Sequence, residues 1–169
     1  MSTSFQLQNN ALKELPHNIE AEQGILGAIL LNNEIFFDIS ETINVEHFYE
    51  PVHKLIFDVI GKMISKGQIA TPITLKSFFE VEKNLEEIGG SNYLVRLANS
   101  AVSLDYAKNY AHIIYNIAVR RGLYELGGKV QHDAIESEIE TKPEDLIEEA
   151  EKNLYQISEK GTSQNQIQT

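Results

Sequence analysis

The stretch AEQGILGAILL, Ala21–Leu31, sets two glycines inside an otherwise apolar run. Three readings compete for it: a phosphate-binding loop, a membrane segment, or a helix packed tightly against a neighbour. A phosphate loop would carry its glycines in a turn after a strand, followed by Lys and Ser or Thr, and none of this accompanies Gly24 or Gly27. A G-x-x-G clamp on RNA would sit in a loop among basic residues, whereas this one follows Glu20 and Glu22 and lies between apolar side chains. The run ILGAILL is far short of the roughly 20 residues that a helix needs to cross a bilayer. What remains is a packed helix. Asn18 can cap it, Glu20 and Glu22 suit the dipole in its first turn, Ile25, Leu26, Ile29 and Leu30 recur at helical spacing, and Asn32-Asn33 end it. A glycine costs about 1 kcal/mol relative to alanine in a helix interior, so the pair predicts that another helix approaches closely there.

The same periodicity continues outward. Ile35, Phe36, Ile39 and Ile43 share one face of a short helix. Pro51 suits the first position of a helix bearing Val52, Leu55, Ile56, Val59, Ile60, Met63 and Ile64, which Gly67 ends. Thr71-Pro72 opens another through Leu75, Phe78 and Phe79, and Gly89-Gly90 turns into one carrying Tyr93, Leu94 and Leu97. No stretch alternates long enough to predict a strand.

From Ser103 a helical pattern runs through Tyr106, Tyr110, Ile113, Ile114 and Ile117 to Leu123, Leu126 and Val130 and on toward Ile135. Its length predicts a bend or a break near Arg121-Gly122. After ESEIE, a capping box from Thr141 to Glu144 starts a helix whose Ile147, Ala150, Leu154 and Ile157 form a heptad seam. Two antiparallel helices with such narrow stripes cannot form a core alone, so the hairpin asks for a partner. The expected organisation is all-α: a flexible arm over 1–16, a globular multi-helix head over 17–118, a C-terminal helical hairpin over 119–160, and a disordered tail or linker start over 161–169.

With 169 residues there is room for one core-bearing domain and an extension, and without cysteine there is neither a disulfide framework nor a thiolate metal site. The N-terminus MSTSFQLQNN does not read as a signal peptide. A formal net charge of -11 argues against general affinity for nucleic acid backbone. Arg120-Arg121, the sole adjacent arginine pair, reads as a solvated helix face. The histidines at 17, 47, 53, 112 and 132 are isolated from any metal-ligand spacing. His53 is expected to pack beside Pro51 and Leu55, and the dipeptide His132-Asp133 lacks evident co-ligands. The carboxylates of Glu136–Glu151 read as a solvated surface, and no G-x-S-x-G nucleophile is present. The residues therefore predict no catalytic, cofactor or metal site in this chain and no ATP hydrolysis by it.

The succession LPHNIEAEQGILGAILL, FYEPVHKLIFDVI, TPITLKSFF, LEEIGGSNYLVRLA, YAHII and RRGLYELG closely resembles the N-terminal domain of DnaB-type bacterial replicative helicases from Leu15 to Lys160. Thr71 stands where such helicases often carry an aspartate, a change at a helix cap. The resemblance implies domains that dimerise through their hairpins and assemble as a trimer of dimers, a collar that binds primase, with a helicase loader as a further partner. ATP and Mg²⁺ belong in this picture to a RecA-like C-terminal motor beyond Thr169, which unwinds DNA 5′ to 3′ in the cytoplasm and meets single-stranded DNA through the intact ring; no membrane is involved. For the primase surface the sequence offers Glu20, Tyr93, Leu123 and Val130, Tyr93 reading equally as a core ring. For the dimer seam it offers Leu126, Ile147, Ala150, Leu154 and Ile157. The helicase-binding domain of primase, with a similar head and hairpin, and a stand-alone helical adaptor are the alternatives.

Overall fold

A computed structural model of the chain describes residues 14–166. Most of the arm expected over 1–16, and residues 167–169 of the tail, lie outside them. The helices in order are α1 (Ile19–Leu31), α2 (Ile35–Ser40), α3 (Pro51–Ser65), α4 (Pro72–Val81), α5 (Ser91–Asn99), α6 (Leu104–Glu136) and α7 (Pro143–Gln166), with short 3-10 turns at Val45–His47 and Glu86–Ile88. Among the described residues there is no strand.

Helix α1 is the centre of the head. Asn18 Oδ1 accepts from Ala21 N at 2.9 Å, as its position in the sequence predicts, and Ile25, Leu26 and Ile29 are fully buried. Around α1 pack α3, α5 and α6. The glycines face this contact. A Cβ on Gly27 would fall inside the Leu97 carbonyl at the end of α5 and 2.8 Å from Ala101 N. One on Gly24 would stand 3.2 Å from Val102 Cγ1 and 3.3 Å from the Tyr110 ring. The missing side chains let α1 lie directly on the α5–α6 corner.

Local signals account for the other boundaries. Pro51 opens α3, and Gly67, at φ 72, terminates it with Gln68 N donating to Met63 O at 2.9 Å. Thr71 caps α4 reciprocally: Thr74 N donates to its hydroxyl, and Thr71 N donates back to Thr74 Oγ1. Asn33 does more than end α1. Its Nδ2 donates to Ile29 O and Ala70 O, and its Oδ1 accepts from Ala70 N, so one amide fastens the end of α1 to the loop before α4.

Three expectations for the second half need correction. Helix α6 does not break near Arg121-Gly122; it is a single helix of 33 residues, about 50 Å long. Gly122 stays helical with Ile157 against it, a Cβ there meeting Ile157 Cδ1 at an ordinary 3.8 Å, and Arg121 is tied into the head. The expected division at 118/119 falls inside this continuous helix. Helix α7 begins at Pro143, later than a Thr141 cap requires. It also continues to Gln166, into the segment expected as tail; that segment holds no proline, and each added residue of a nucleated helix gains a hydrogen bond.

Replacing Gly27 by alanine forces backbone to move and should destabilise the chain by about 1–3 kcal/mol. Gly127, with open space around its Cβ position, should gain up to about 1 kcal/mol from the same change. Urea unfolding of G27A and G127A checks the opposite signs.

Candidate partner interface

Glu22 belongs by sequence with the acids that favour a helix N-terminus, yet it is only 1% exposed. A buried carboxylate must be compensated by donors, because the loss of its hydration outweighs any packing it gains. Tyr49 N donates to Oε2 at 3.1 Å, and Glu50 N and His53 Nδ1 donate to Oε1 at 3.3 and 2.9 Å. The turn FYEP is thereby drawn onto α1. His53 packs at the start of α3 as expected, fully buried, but it is also the middle of a relay, with Nε2 2.5 Å from the Tyr93 hydroxyl.

One proton arrangement that satisfies every group has His53 Nδ1 donating to the Glu22 carboxylate, His53 Nε2 accepting from the Tyr93 hydroxyl, and the Tyr93 oxygen accepting from Gln23 Nε2 at 3.5 Å. Burial pushes the Tyr93 phenol up from 10.0, against the lowering effect of the Gln23 hydrogen bond, and this favours the neutral hydroxyl the relay needs. The two rings are nearly parallel, 7° between planes and 6.0 Å between centroids, and the Arg96 guanidinium lies 5.1 Å from the Tyr93 centroid.

The structure makes Tyr93 a half-buried ring whose hydroxyl points inward. Glu20 is exposed. It stands one turn before Gln23 on α1, and Gln23 reaches Tyr93, so Glu20 and Tyr93 come to the same side of the head.

The arginine pair divides. Arg120 is exposed as expected, but Arg121 is buried, 9% exposed. Its guanidinium donates to Pro16 O at 2.9 Å and His47 O at 2.7 Å and lies 5.4 Å from the Tyr49 ring centroid, which in turn stacks on His17. Burial lowers its pKa, while Glu22 and Glu125 act in the opposite direction. A signal for this was available: Arg121 stands on the stripe of Ala107, Ala111 and Ile114, all buried. Glu22 had no comparable signal, since an acid near a helix start is ordinary.

On the hairpin, Leu126, Val130, Ile147, Ala150 and Leu154 line a groove of 590 Å³ between α6 and α7. Leu123, Leu154 and Ile157 line a second of 530 Å³ nearer the head. Contact between the two helices leaves much apolar surface open: Val130 is 42%, Leu123 45%, Leu154 51% and Ile147 58% exposed. Asp133 is engaged by Lys129 Nζ at 2.6 Å on the groove wall. Among the described residues no cluster of three or more His, Asp or Glu could hold a metal ion, and no helix is long and apolar enough to cross a membrane.

An all-α head with a helical hairpin built on a shared long helix has counterparts of known structure. The crystallised N-terminal domain of DnaB helicase from Mycobacterium tuberculosis superposes with a TM-score of 0.79 at 26% identity, over 85% of this chain and 99% of that one. A DnaB-like replicative helicase, solved in a study of its interactions with primase, matches with a TM-score of 0.64 at 25% identity, over 83% of this chain and 31% of that one. The replicative DNA helicase DnaB of Rickettsia felis is 42% identical over 144 residues, 85% of this chain and 29% of its own length. That of Pasteurella multocida is 34% identical over 153 residues, 89% of this chain and 32% of its own length. The family model described as DnaB-like helicase N terminal domain matches residues 14–116. This chain belongs to that family, on the helicase side of the helicase–primase alternative, and spans about a third of the length of the curated relatives it matches.

Removing Arg121 leaves two carbonyls without their charged donor, so Arg121→Ala should cost about 1.5–3 kcal/mol, whereas Arg120→Ala should stay within about 0.5 kcal/mol of the parent. Chemical denaturation of the two variants side by side checks the contrast.

Proposed function

We propose that this chain is the non-catalytic N-terminal assembly and primase-recruitment domain of a bacterial replicative helicase. The observation that carries the reading is the family match over the head, joined to a hairpin whose apolar groove stands open among the described residues. Two copies pair through Leu126, Ile147, Ala150, Leu154 and Ile157, and three such pairs form the collar of a hexamer. The intact protein unwinds duplex DNA 5′ to 3′ at the replication fork in the cytoplasm, driven by ATP and Mg²⁺ in its C-terminal motor, and holds single-stranded DNA within the ring. A helicase loader is a further partner of the ring.

The residues of this chain do not fit the nucleotide. Gly24 and Gly27 face Val102, Tyr110 and Leu97 at distances that leave no room for a phosphate. The net charge of -11 points the same way, toward protein partners and away from phosphate backbones. Primase is the partner that the DnaB-like helicase of known structure suggests. Its surface on this chain is the head face of Glu20 and Tyr93, continued on the hairpin by Leu123 and Val130. An aromatic ring held at the edge of a buried network is the kind of anchor that dominates binding energy at interfaces.

The assembly is tested by sedimentation. The chain should dimerise at micromolar or higher concentration, and Leu154→Asp should shift it to monomer, because the seam would then bury a charge without a partner. A dimer unchanged by L154D would confine the seam to the intramolecular contact.

The partner surface is tested by calorimetry with the helicase-binding domain of primase. Tyr93→Ala should weaken binding by about tenfold and Glu20→Ala by severalfold. Thermal unfolding of each variant separates the effects: Glu20→Ala should melt within a few degrees of the parent, so that its lost affinity reports the interface.

A further inference from the structure

The relay that ends on Tyr93 is a costly way to fill a core. Apolar side chains of the same volume would pack Glu22 and His53's sites without taking a carboxylate and an imidazole out of water. The relay also does not close on itself within the core; its last member is a ring that remains partly in solvent. Resting on the reading that Tyr93 faces primase, we infer that Glu22 and His53 are positioning residues for that surface: they capture the Tyr93 hydroxyl and hold its ring in one orientation for the partner.

Each link is directional. Tyr49 and Glu50 amides fix the Glu22 carboxylate, so it cannot turn away from His53. Its Oε1 accepts from Nδ1 and thereby sets the tautomer, leaving Nε2 as the acceptor that takes the Tyr93 hydrogen. The ring is held at its tip by that bond and by Gln23, and Arg96 lies over it. A side chain immobilised before encounter loses less freedom on binding than one that must be ordered by the partner. The face presented is a ring, a guanidinium and, one helical turn from Gln23, the carboxylate of Glu20. It fits a partner patch with an apolar side chain to lie on the ring and a basic one to meet Glu20.

The test uses the whole chain with ring-labelled tyrosine, observed by NMR, and calorimetry with the helicase-binding domain of primase. In the parent, the Tyr93 hydroxyl proton should be protected from exchange and the ring slow to flip. His53→Gln should abolish the protection and free the ring, and primase affinity should fall about fivefold to tenfold, the effect of losing one buried hydrogen bond that presets an anchor. Tyr93→Phe should lower affinity similarly, and adding His53→Gln to it should cost nothing more, because the two act through one bond. If His53→Gln fails to fold, Tyr93→Phe carries the test alone: it keeps the Glu22–His53 pair, and unchanged primase affinity overturns the inference. So does an affinity loss from His53→Gln that is undiminished in the Tyr93→Phe background, which would mark a general structural role. Unchanged primase affinity in Tyr93→Ala is a different failure: it removes the Tyr93 surface itself, and the positioning role with it.

Discussion

Two opposite charges leave water inside the head, the carboxylate of Glu22 and the guanidinium of Arg121, and satisfying them organises the elements around α1. Neither could stay buried without a full set of partners, and both find them largely in backbone groups of the loops. Glu22 takes the amides of Tyr49 and Glu50; Arg121 takes the carbonyls of Pro16 and His47 and lies against the Tyr49 ring. The segment from His47 to Glu50 is thus gripped from both sides. It ties the start of α1, the start of α3 and the middle of α6 into one unit.

This arrangement explains why α6 can be one uninterrupted helix. Its first half is an element of the head core, through Ala107, Ala111 and Ile114. Its second half carries Leu123, Leu126 and Val130 out into the hairpin, where α7 covers only part of their surface. Arg121 sits where the two halves meet. A bend at this point would pull the guanidinium off its carbonyls, and Gly122 behind it accommodates Ile157 of α7 without strain.

What could be read in the sequence was whatever the chain encodes locally. Asn18, Pro51, Gly67 and Thr71 mark helix ends through contacts with residues a turn away, and the structure places each where its chemistry puts it. The glycine pair announced a close neighbour without naming it, since the Leu97 carbonyl and Ala101 lie some 70 residues along the chain, known only once α1 meets the α5–α6 corner. The relay was out of reach for the same reason. Glu22 and His53 are 31 positions apart, His53 and Tyr93 a further 40, and Arg121 reaches Pro16 across 105. A buried ionisable residue looks like a surface one until its donors are in place. The long helix was misjudged from the opposite side: its stripe was legible, but a single rod shared by two substructures looks, by length alone, like two helices.

In the assembly proposed above, that rigidity has a consequence for recognition. A flexible joint at the root of the hairpin would let paired hairpins leave their heads free to turn, and faces bearing Glu20 and Tyr93 would be presented at no fixed spacing. With α6 continuous and Arg121 clamped into the same turn that holds Glu22, the direction of the hairpin and the orientation of Tyr93 are set by one connected group of contacts. Pairing two hairpins then also fixes the placement of two head faces. A partner that touches both a head and a hairpin meets a surface whose two parts are already in register, and less of its binding energy is spent on ordering them.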